Sequence, residues 1–347
     1  MHCGLFFDNY KDDERIWKTR FVRISLGVFL LALIALPPFM SNSIIYILNV
    51  IGIFIIGAHG LNLLTGYTGQ ISLGHGAFMG VGAYASGILA TKLGLPFLLC
   101  LPLAGLITAA IGMIFGIPSL RIKGLYLAIA TMAAQFIIEY AMRNWTSLTG
   151  GSAGLLVPPA SIAGFQFDTD LKMYYLILFF VIIATIYTKN ITRTRVGRAF
   201  VAIRDRYLSA EMMGISLYKY RLMSFAISSF MVGVSGSLWA HYVQIISDEH
   251  FTIWLSIQYL AMVIIGGLGH VLGGIFGTIF MVVLPELLRI PAQALSVSHP
   301  FVFSIFNNIR SGVFGLVIVL FLIFEPDGLA ARWRTIKAYW KLWPFSY

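Results

Sequence analysis

Hydrophobic runs long enough to cross a bilayer recur along this chain, parted by short polar or glycine-rich breaks. A span needs about 20 apolar residues, fewer where protein packs around it. The pattern predicts ten: Ile24 to Met40, Ile44 to Leu64, Ser72 to Ala90, Phe97 to Ile117, Leu125 to Met142, Met173 to Thr188, Leu222 to Ile246, Ser256 to Leu268, Val271 to Leu288 and Ile309 to Phe324. The eighth is short and meets the ninth through Gly266-Gly-Leu-Gly269, so the pair reads as two spans or instead as a re-entrant or broken helix. The expected fold class is therefore all-α, a polytopic transmembrane helical bundle. Between the second and third runs lies a polar stretch, Gly66-Tyr-Thr-Gly-Gln-Ile-Ser-Leu-Gly-His-Gly76. Its hydrogen-bonding side chains sit where lipid cannot satisfy them, so it must be buried in protein or line a wet cavity. Gly66, Thr68, Gly69, Gln70, Ser72, Gly74 and His75 are accordingly the candidate translocation path.

Composition agrees: 59% hydrophobic and 11% charged residues leave too little polar surface to wrap a soluble core of 347 residues. Placing both termini in the cytoplasm puts 19 of the 24 basic residues on that side, in the N-terminal tail, at Arg121 and Lys123, in the loop 189–221 and in the C-terminal tail. That bias accounts for the net charge of +10 without nucleic acid. The chain divides into a tail at 1–23, a permease domain at 24–328 containing the loop 189–221, and a second cytoplasmic tail at 329–347. The first tail mixes acids and bases and lacks a signal-peptide cleavage site. With its aromatic residues it reads either as an interfacial helix or as a solvated segment.

Two loops carry structure. Residues 144–171 hold Thr149-Gly-Gly-Ser-Ala-Gly154 and Pro158-Pro159, turn chemistry for a compact connection. In 189–221, Ala199, Ile203 and Tyr207 repeat at helical spacing, as do Ala202, Arg206 and Ala210, which predicts one or two short helices with Gly214 as the stop.

Catalytic chemistry is poorly represented. No GxxxxGK[ST] loop or HExxH occurs, and Cys3 and Cys100 make neither a disulfide framework nor a metal site, so no catalytic residue, metal or cofactor is assigned. Glu139 with Arg143 and Glu286 with Arg289 read as helix-end pairs, with a proton relay as the other reading. His75 reads as a helix-terminus or packing residue, with substrate contact as the alternative. Gly80 and Gly87 read as close-packing positions. The string Gly233-Val-Ser-Gly236, with His241 or His270 as a base, is the one hint of an intramembrane serine protease, and a glycine-rich chain makes such a string by chance.

The run Gly60-Leu-Asn-Leu-Leu-Thr-Gly-Tyr-Thr-Gly-Gln-Ile-Ser-Leu-Gly-His-Gly-Ala-Phe-Met-Gly-Val-Gly-Ala-Tyr84 resembles the M-type permease subunits of bacterial ABC importers for branched-chain amino acids. So do Leu120-Arg-Ile-Lys-Gly-Leu-Tyr-Leu-Ala-Ile-Ala-Thr131, Asn144-Trp-Thr-Ser-Leu-Thr-Gly-Gly151, Gly197-Arg-Ala-Phe-Val-Ala-Ile-Arg204, Ala210-Glu-Met-Met-Gly-Ile215, Gly266-Gly-Leu-Gly269, Leu284-Pro-Glu-Leu-Leu288 and Phe324-Glu-Pro-Asp-Gly-Leu329. The resemblance implies a multi-pass protein of the bacterial inner membrane that works with a second related permease, two cytoplasmic ATPase subunits and a periplasmic solute-binding protein. It implies an amino-acid solute, with urea or short-chain amides as alternatives in the same class. It also implies that Gly197, Arg198, Ala199, Ala202, Arg204, Glu211 and Gly214 belong to a loop that docks on the ATPase. A secondary transporter or channel acting alone is the competing class.

Overall fold

The computed structural model describes residues 20–120, 124–162, 164–296 and 301–342. Most of the N-terminal tail, with Cys3, the bases Arg121 and Lys123, and residues 343–347 lie outside the described residues.

Helices form where the apolar runs predict them. They are α1 (Arg20–Ala35), α2 (Asn42–Leu61), α3 (His75–Lys92), α4 (Phe97–Gly116), α5 (Leu125–Asn144), α6 (Asp170–Arg193), α7 (Arg195–Met212), α8 (Leu217–Val243), α9 (Ile253–Gly266), α10 (Val271–Ser296), α11 (Phe301–Phe324) and α12 (Leu329–Leu342). Among the described residues, eight helices are long and apolar enough to cross a membrane, or nine if α11 and α12, bent by 48°, form one span. Helix α3 is not among them, since glycine, alanine and serine dilute its hydropathy, and it is walled by protein instead. Of the two readings of the region 256–288, the structure takes the one with two spans. A 3-10 turn at Asp248–Phe251 extends α9 to a 19-residue span, and α9 and α10 pack as a hairpin across the turn 267–270.

The bundle is built around α8, which packs on α4, α3 and α2, while α10 covers α2 and α9. Backbones approach closely there. A Cβ at Gly82 would run into Gly233, and one at Gly236 into the carbonyl of Met79. Gly80 meets Met142 and Phe251, and Gly87 meets Val157 and Leu155. These are the small-residue contacts that let helices associate where lipid tails are as apolar as the side chains. Helix α1 is peripheral, held by the Tyr174 and Tyr175 hydroxyls, each donating to α1 carbonyls (Leu33 and Ile34) at 3.0 Å.

The two ends differ. At one, Leu155–Leu156 pairs antiparallel with Ile245–Ile246, so the 144–171 connection is compact as its turn residues predict. Arg143 binds Asp248 at 2.6 Å there, with Glu139 a more distant partner at 3.7 Å. The other end carries α7, the turn 267–270 and the start of α12.

A sealed polar junction and the helix tied to it

Helix α2 does not stop at Leu61 but widens into a π-helical turn, Asn62–Tyr67, and the chain then runs without helix to Gly74. Such π turns recur at functional sites because they re-aim carbonyls and side chains. Between that turn and α3, burial alternates: Gln70, Ser72 and Gly74 point inward, while Gly69, Ile71 and Leu73 are partly or fully exposed.

Most of the inward polar groups find a protein partner. Thr65 Oγ1 donates to the Gln70 carbonyl and Thr68 Oγ1 to the Leu63 carbonyl, both at 3.0 Å. Gln70 Nε2 donates to Ser224 on α8 at 2.7 Å. Ser72 Oγ accepts from Gly74 N–H at 3.4 Å, and Leu73 N–H donates to Thr131 on α5 at 2.9 Å. The first turn of α3 is capped the same way. Gly76 N–H donates to Ser256 Oγ and Ala77 N–H to Gln135 Oε1, both at 2.7 Å, and Ser256 also donates to Gln135 at 2.9 Å. Gln135 Nε2 completes the knot by donating to the Phe251 carbonyl at 2.6 Å. His75 lies fully buried, its Nε2 3.3 Å from Ser228. In this conformation the N–H groups of Gly76 and Ala77 are therefore held by side chains of α9 and α5.

Depth follows from the same bonds. Ser256 precedes the end of α9 at Gly266 by about 15 Å of helix rise, so α3 begins near the middle of a ~30 Å hydrocarbon core. Discontinuous helices ending near the midplane are where transporter folds place their solute sites.

The outer edge of the junction is tied to α7. Arg204 donates through Nη1 to the Gly66 carbonyl at 2.8 Å and through Nε to Asp205 at 2.9 Å, and its side chain lies over Gly69, whose φ is +73°. Asn62 reaches the α9–α10 turn, donating to the His270 carbonyl at 2.8 Å and accepting from Gly269 N–H at 2.9 Å. Burial, reinforced by Arg334 and Arg204, lowers the His270 pKa, against the Leu268 carbonyl and Asp327, which raise it.

Helix α7 itself has two halves, since Arg206 leaves helical geometry at φ −151°, ψ 83°. The first half, with Gly197, Ala199, Phe200 and Ile203 buried, leans on the bundle, and Thr194 caps it by accepting from Gly197 N–H. A Cβ at Gly197 would strike the backbone of Thr192, so the α6–α7 corner needs glycine. Arg198 is exposed, and Ala202 is half-buried. The second half still buries Ala210 and sets Tyr207 against Arg221 of α8, but it exposes Leu208, Met212 and Met213 beside Glu211. Gly214, at φ +82°, ends it by donating to the Glu211 carbonyl, as expected of a helix stop.

Other sequence candidates go elsewhere. Ser235 donates to the Ile53 carbonyl at 2.7 Å, whereas His241 bonds Ser86 at 3.0 Å and the Pro158 carbonyl at 2.8 Å. No serine–histidine pair forms around Ser235, and Gly233 and Gly236 are packing contacts. Glu286 and Arg289 pair at 2.6 Å, but α10 continues past them to Ser296, so they are not the helix-end pair the sequence suggests. Among the described residues no group of His, Cys, Asp or Glu is placed to hold a metal. Sequence reasoning missed Thr131, Ser224, Ser228 and Ser256, and also Leu208, Met212 and Met213. A polar residue in each of several apolar runs was the only available signal for the first set.

Apolar helices closed around a polar junction at mid-depth define a multi-pass membrane protein. The chain belongs to the branched-chain amino acid transport system permease component family, whose model matches residues 43–322. It is 32% identical over 335 residues to the high-affinity branched-chain amino acid transport system permease proteins LivM of Salmonella typhimurium and Escherichia coli, covering 88% of this chain and 75% of each relative. The probable branched-chain amino acid transport permease protein LivM of Methanocaldococcus jannaschii is 25% identical over 237 residues, 67% of each chain. No solved structure matches the chain.

Proposed function

We propose that this permease subunit moves branched-chain amino acids from periplasm to cytoplasm across the bacterial inner membrane, paired with a second related permease, with ATP hydrolysed on two separate cytoplasmic subunits and solute delivered by a periplasmic binding protein. The family match supports the class and the solute. The α7 end is cytoplasmic in this reading, because the basic residues collect there. Both termini then lie inside.

The observation that carries the mechanism is the Arg204–Gly66 bond. It links a helix with an exposed apolar tip directly to the polar junction. Leu208, Met212 and Met213, with Glu211 beside them, form the docking tip for an ATPase, and Gly197 and Gly214 fix the corner and the stop that make the helix a lever. When the ATPases close, the lever shifts Arg204 and with it the end of α2. The junction is poised for a second arrangement, since Gln70 Oε1 and His75 Nδ1 are buried without a partner among the described residues, a cost of about 1–3 kcal/mol for each group. In this reading Gly66, Thr68, Gly69, Gln70, Ser72, Gly74 and His75 form the back of the passage wall, and Ile71 and Leu73 supply its apolar face for an aliphatic side chain.

The test uses the assembled importer in vesicles. Cysteines at Gly69, Ile71 and Leu73 are expected to react with water-soluble thiol reagents, at rates that change when ATP is trapped, while cysteines at Phe29 and Leu320 stay slow. Equal inertness at all five positions in every nucleotide state would place the passage elsewhere. Leucine uptake that needs no ATPase would instead favour a transporter acting alone.

A further inference from the structure

Asn62 is fully buried in the π turn that ends α2, and both ends of its amide are used. Its Nδ2 donates to the His270 carbonyl at 2.8 Å and its Oδ1 accepts from Gly269 N–H at 2.9 Å, so one side chain ties the α9–α10 turn to α2 by two bonds. Arg204 touches both breaks. It donates to the Gly66 carbonyl at 2.8 Å, and its guanidinium lies against Gly269. On the far side the turn rests on the α11–α12 corner, where a Cβ at Gly328 would strike Gly267.

The turn joins a stiff hairpin. A Cβ at Gly277 would run into the Met262 carbonyl, and one at Gly266 into the Gly273 carbonyl, so α9 and α10 meet backbone to backbone. About 15 Å along α9 from that turn, Ser256 Oγ accepts from Gly76 N–H at 2.7 Å and donates to Gln135 at 2.9 Å. The hairpin therefore meets the polar junction twice, through its turn at Asn62 and through Ser256 at the start of α3. A helix bonded throughout its own backbone carries an axial displacement over that length with little loss. Packed helices slide by about 1–2 Å in switching transitions. The 2.7 Å bond from Gly76 to Ser256 is lost once its partners separate by about 1 Å.

We infer that Asn62 is a positioning residue for transport: it makes the α9–α10 hairpin follow the end of α2, so that a shift of Arg204 withdraws Ser256 from Gly76 and unseals the start of α3. This role rests on the reading of α7 as a lever driven by the ATPases. It adds that the lever acts on two breaks rather than one, and that the seal is released from α9.

The experiment uses the assembled importer in vesicles and reads leucine uptake, ATP hydrolysis and the labelling of Ser256→Cys by a water-soluble thiol reagent, above the background of Cys3 and Cys100. With Asn62 intact, Ser256→Cys is expected to label slowly at rest and about tenfold faster when ATP is trapped. Asn62→Leu, which fills the space without either bond, should hold labelling at the resting rate and cut uptake about tenfold while ATP hydrolysis continues. Asn62→Asp keeps the acceptor for Gly269 N–H and should lie between. Combining Asn62→Leu with Arg204→Lys should lose little more uptake than the worse single variant, because both act on one path.

ATP-dependent labelling of Ser256→Cys that survives in Asn62→Leu would overturn the inference, as would losses that multiply in the double variant. Equal loss of uptake and ATP hydrolysis in Asn62→Leu would make Asn62 a support of the fold alone. Should Asn62→Leu fail to co-purify with its partner subunits, Asn62→Asp decides, and labelling in it that responds fully to ATP overturns the role. The lever reading fails on a different observation: if Leu73→Cys labels alike with and without trapped ATP while Asn62 is intact, that reading falls, and the role of Asn62 with it.

Discussion

The tripeptide Leu-Gly-His occurs twice in this chain, at Leu73–His75 and at Leu268–His270, and each copy ends a break just ahead of a helix. Their surroundings are opposite. His75 is fully buried at mid-depth, against Ser228 and edge-on to Tyr259, at the foot of a stretch sealed by α5, α8 and α9. His270 is part-exposed at the end of the bundle, bonded to the carbonyl two residues back, in a four-residue turn set by Gly267 at φ +111° and Gly269 at φ +73°. A short turn at the surface needs only glycine and water. A long break inside the bundle needs a partner for each polar group, because no water competes to supply one. The same three residues thus close an exposed turn in one place and a sealed break in the other, and the two breaks touch, at Gly66 and Gly269.

That contact is where the comparison breaks most severely. Gly66→Val would drive a side chain into Asn62 Oδ1 and the backbone of Gly269, neither of which is a flexible side-chain end free to move away. Overpacking of this kind costs about 1–3 kcal/mol and more where backbone must move. Loss of assembled, transport-competent importer is expected, measured by co-purification of the partner subunits and by uptake. Gly315→Val, at a glycine with open space around it, is the control expected to assemble normally.

Next in size is the seal itself. Gln135→Leu leaves Ala77 N–H, the Ser256 hydroxyl and the Phe251 carbonyl without their partner, at about 1–3 kcal/mol per orphaned group. A fall of several degrees in unfolding temperature is expected, with Gln135→Glu intermediate because it keeps both acceptor bonds. A wild-type melting curve for Gln135→Leu would mean that the junction is not held from α5.

A smaller structural change should have a larger functional share at Arg204. Lysine keeps the charge but not the fork that reaches the Gly66 carbonyl and Asp205 together. Because that fork couples α7 to the end of α2 in the proposed mechanism, Arg204→Lys is expected to cut ATP-driven uptake about tenfold or more. Its melting temperature and basal ATP hydrolysis should stay close to wild type. Parallel loss of uptake and stability would reduce Arg204 to a packing role.

How far the sequence carries this picture depends on the range of the interaction concerned. The positions of the helices, the stop at Gly214 and the polar break before His75 are written in local pattern and are legible. Partners distant in sequence are not: Asp248 lies 105 residues beyond Arg143, and Gln135 meets Ser256 across 121. Periodicity places Ala199, Ile203 and Tyr207 on one face, but the break at Arg206 rotates the second half of α7, so the exposed tip at Leu208 and Met212 cannot be read from the first half. The polar stretch reads as a cavity wall because its composition demands partners. Composition does not say that serines, threonines and a glutamine spread over other helices would supply most of them.

The weakest effect should come from the exposed histidine. His270 has its pKa lowered by burial and by Arg334 and Arg204, so in the folded protein it takes up a proton less readily than in the unfolded chain. The unfolded state then binds more protons as pH falls through the ordinary imidazole range near 6.5, and folded stability falls with it; above that range the contribution is fully present. His270→Gln removes the titration while leaving the Asn62 bond, which is made to the backbone carbonyl. Wild type and variant should melt together at about pH 7.5, and the variant should lose less on acidification to about pH 5.5. If His270→Gln instead shifts the melting temperature equally at both values, the imidazole acts through packing, and the contrast with His75 would rest on burial alone.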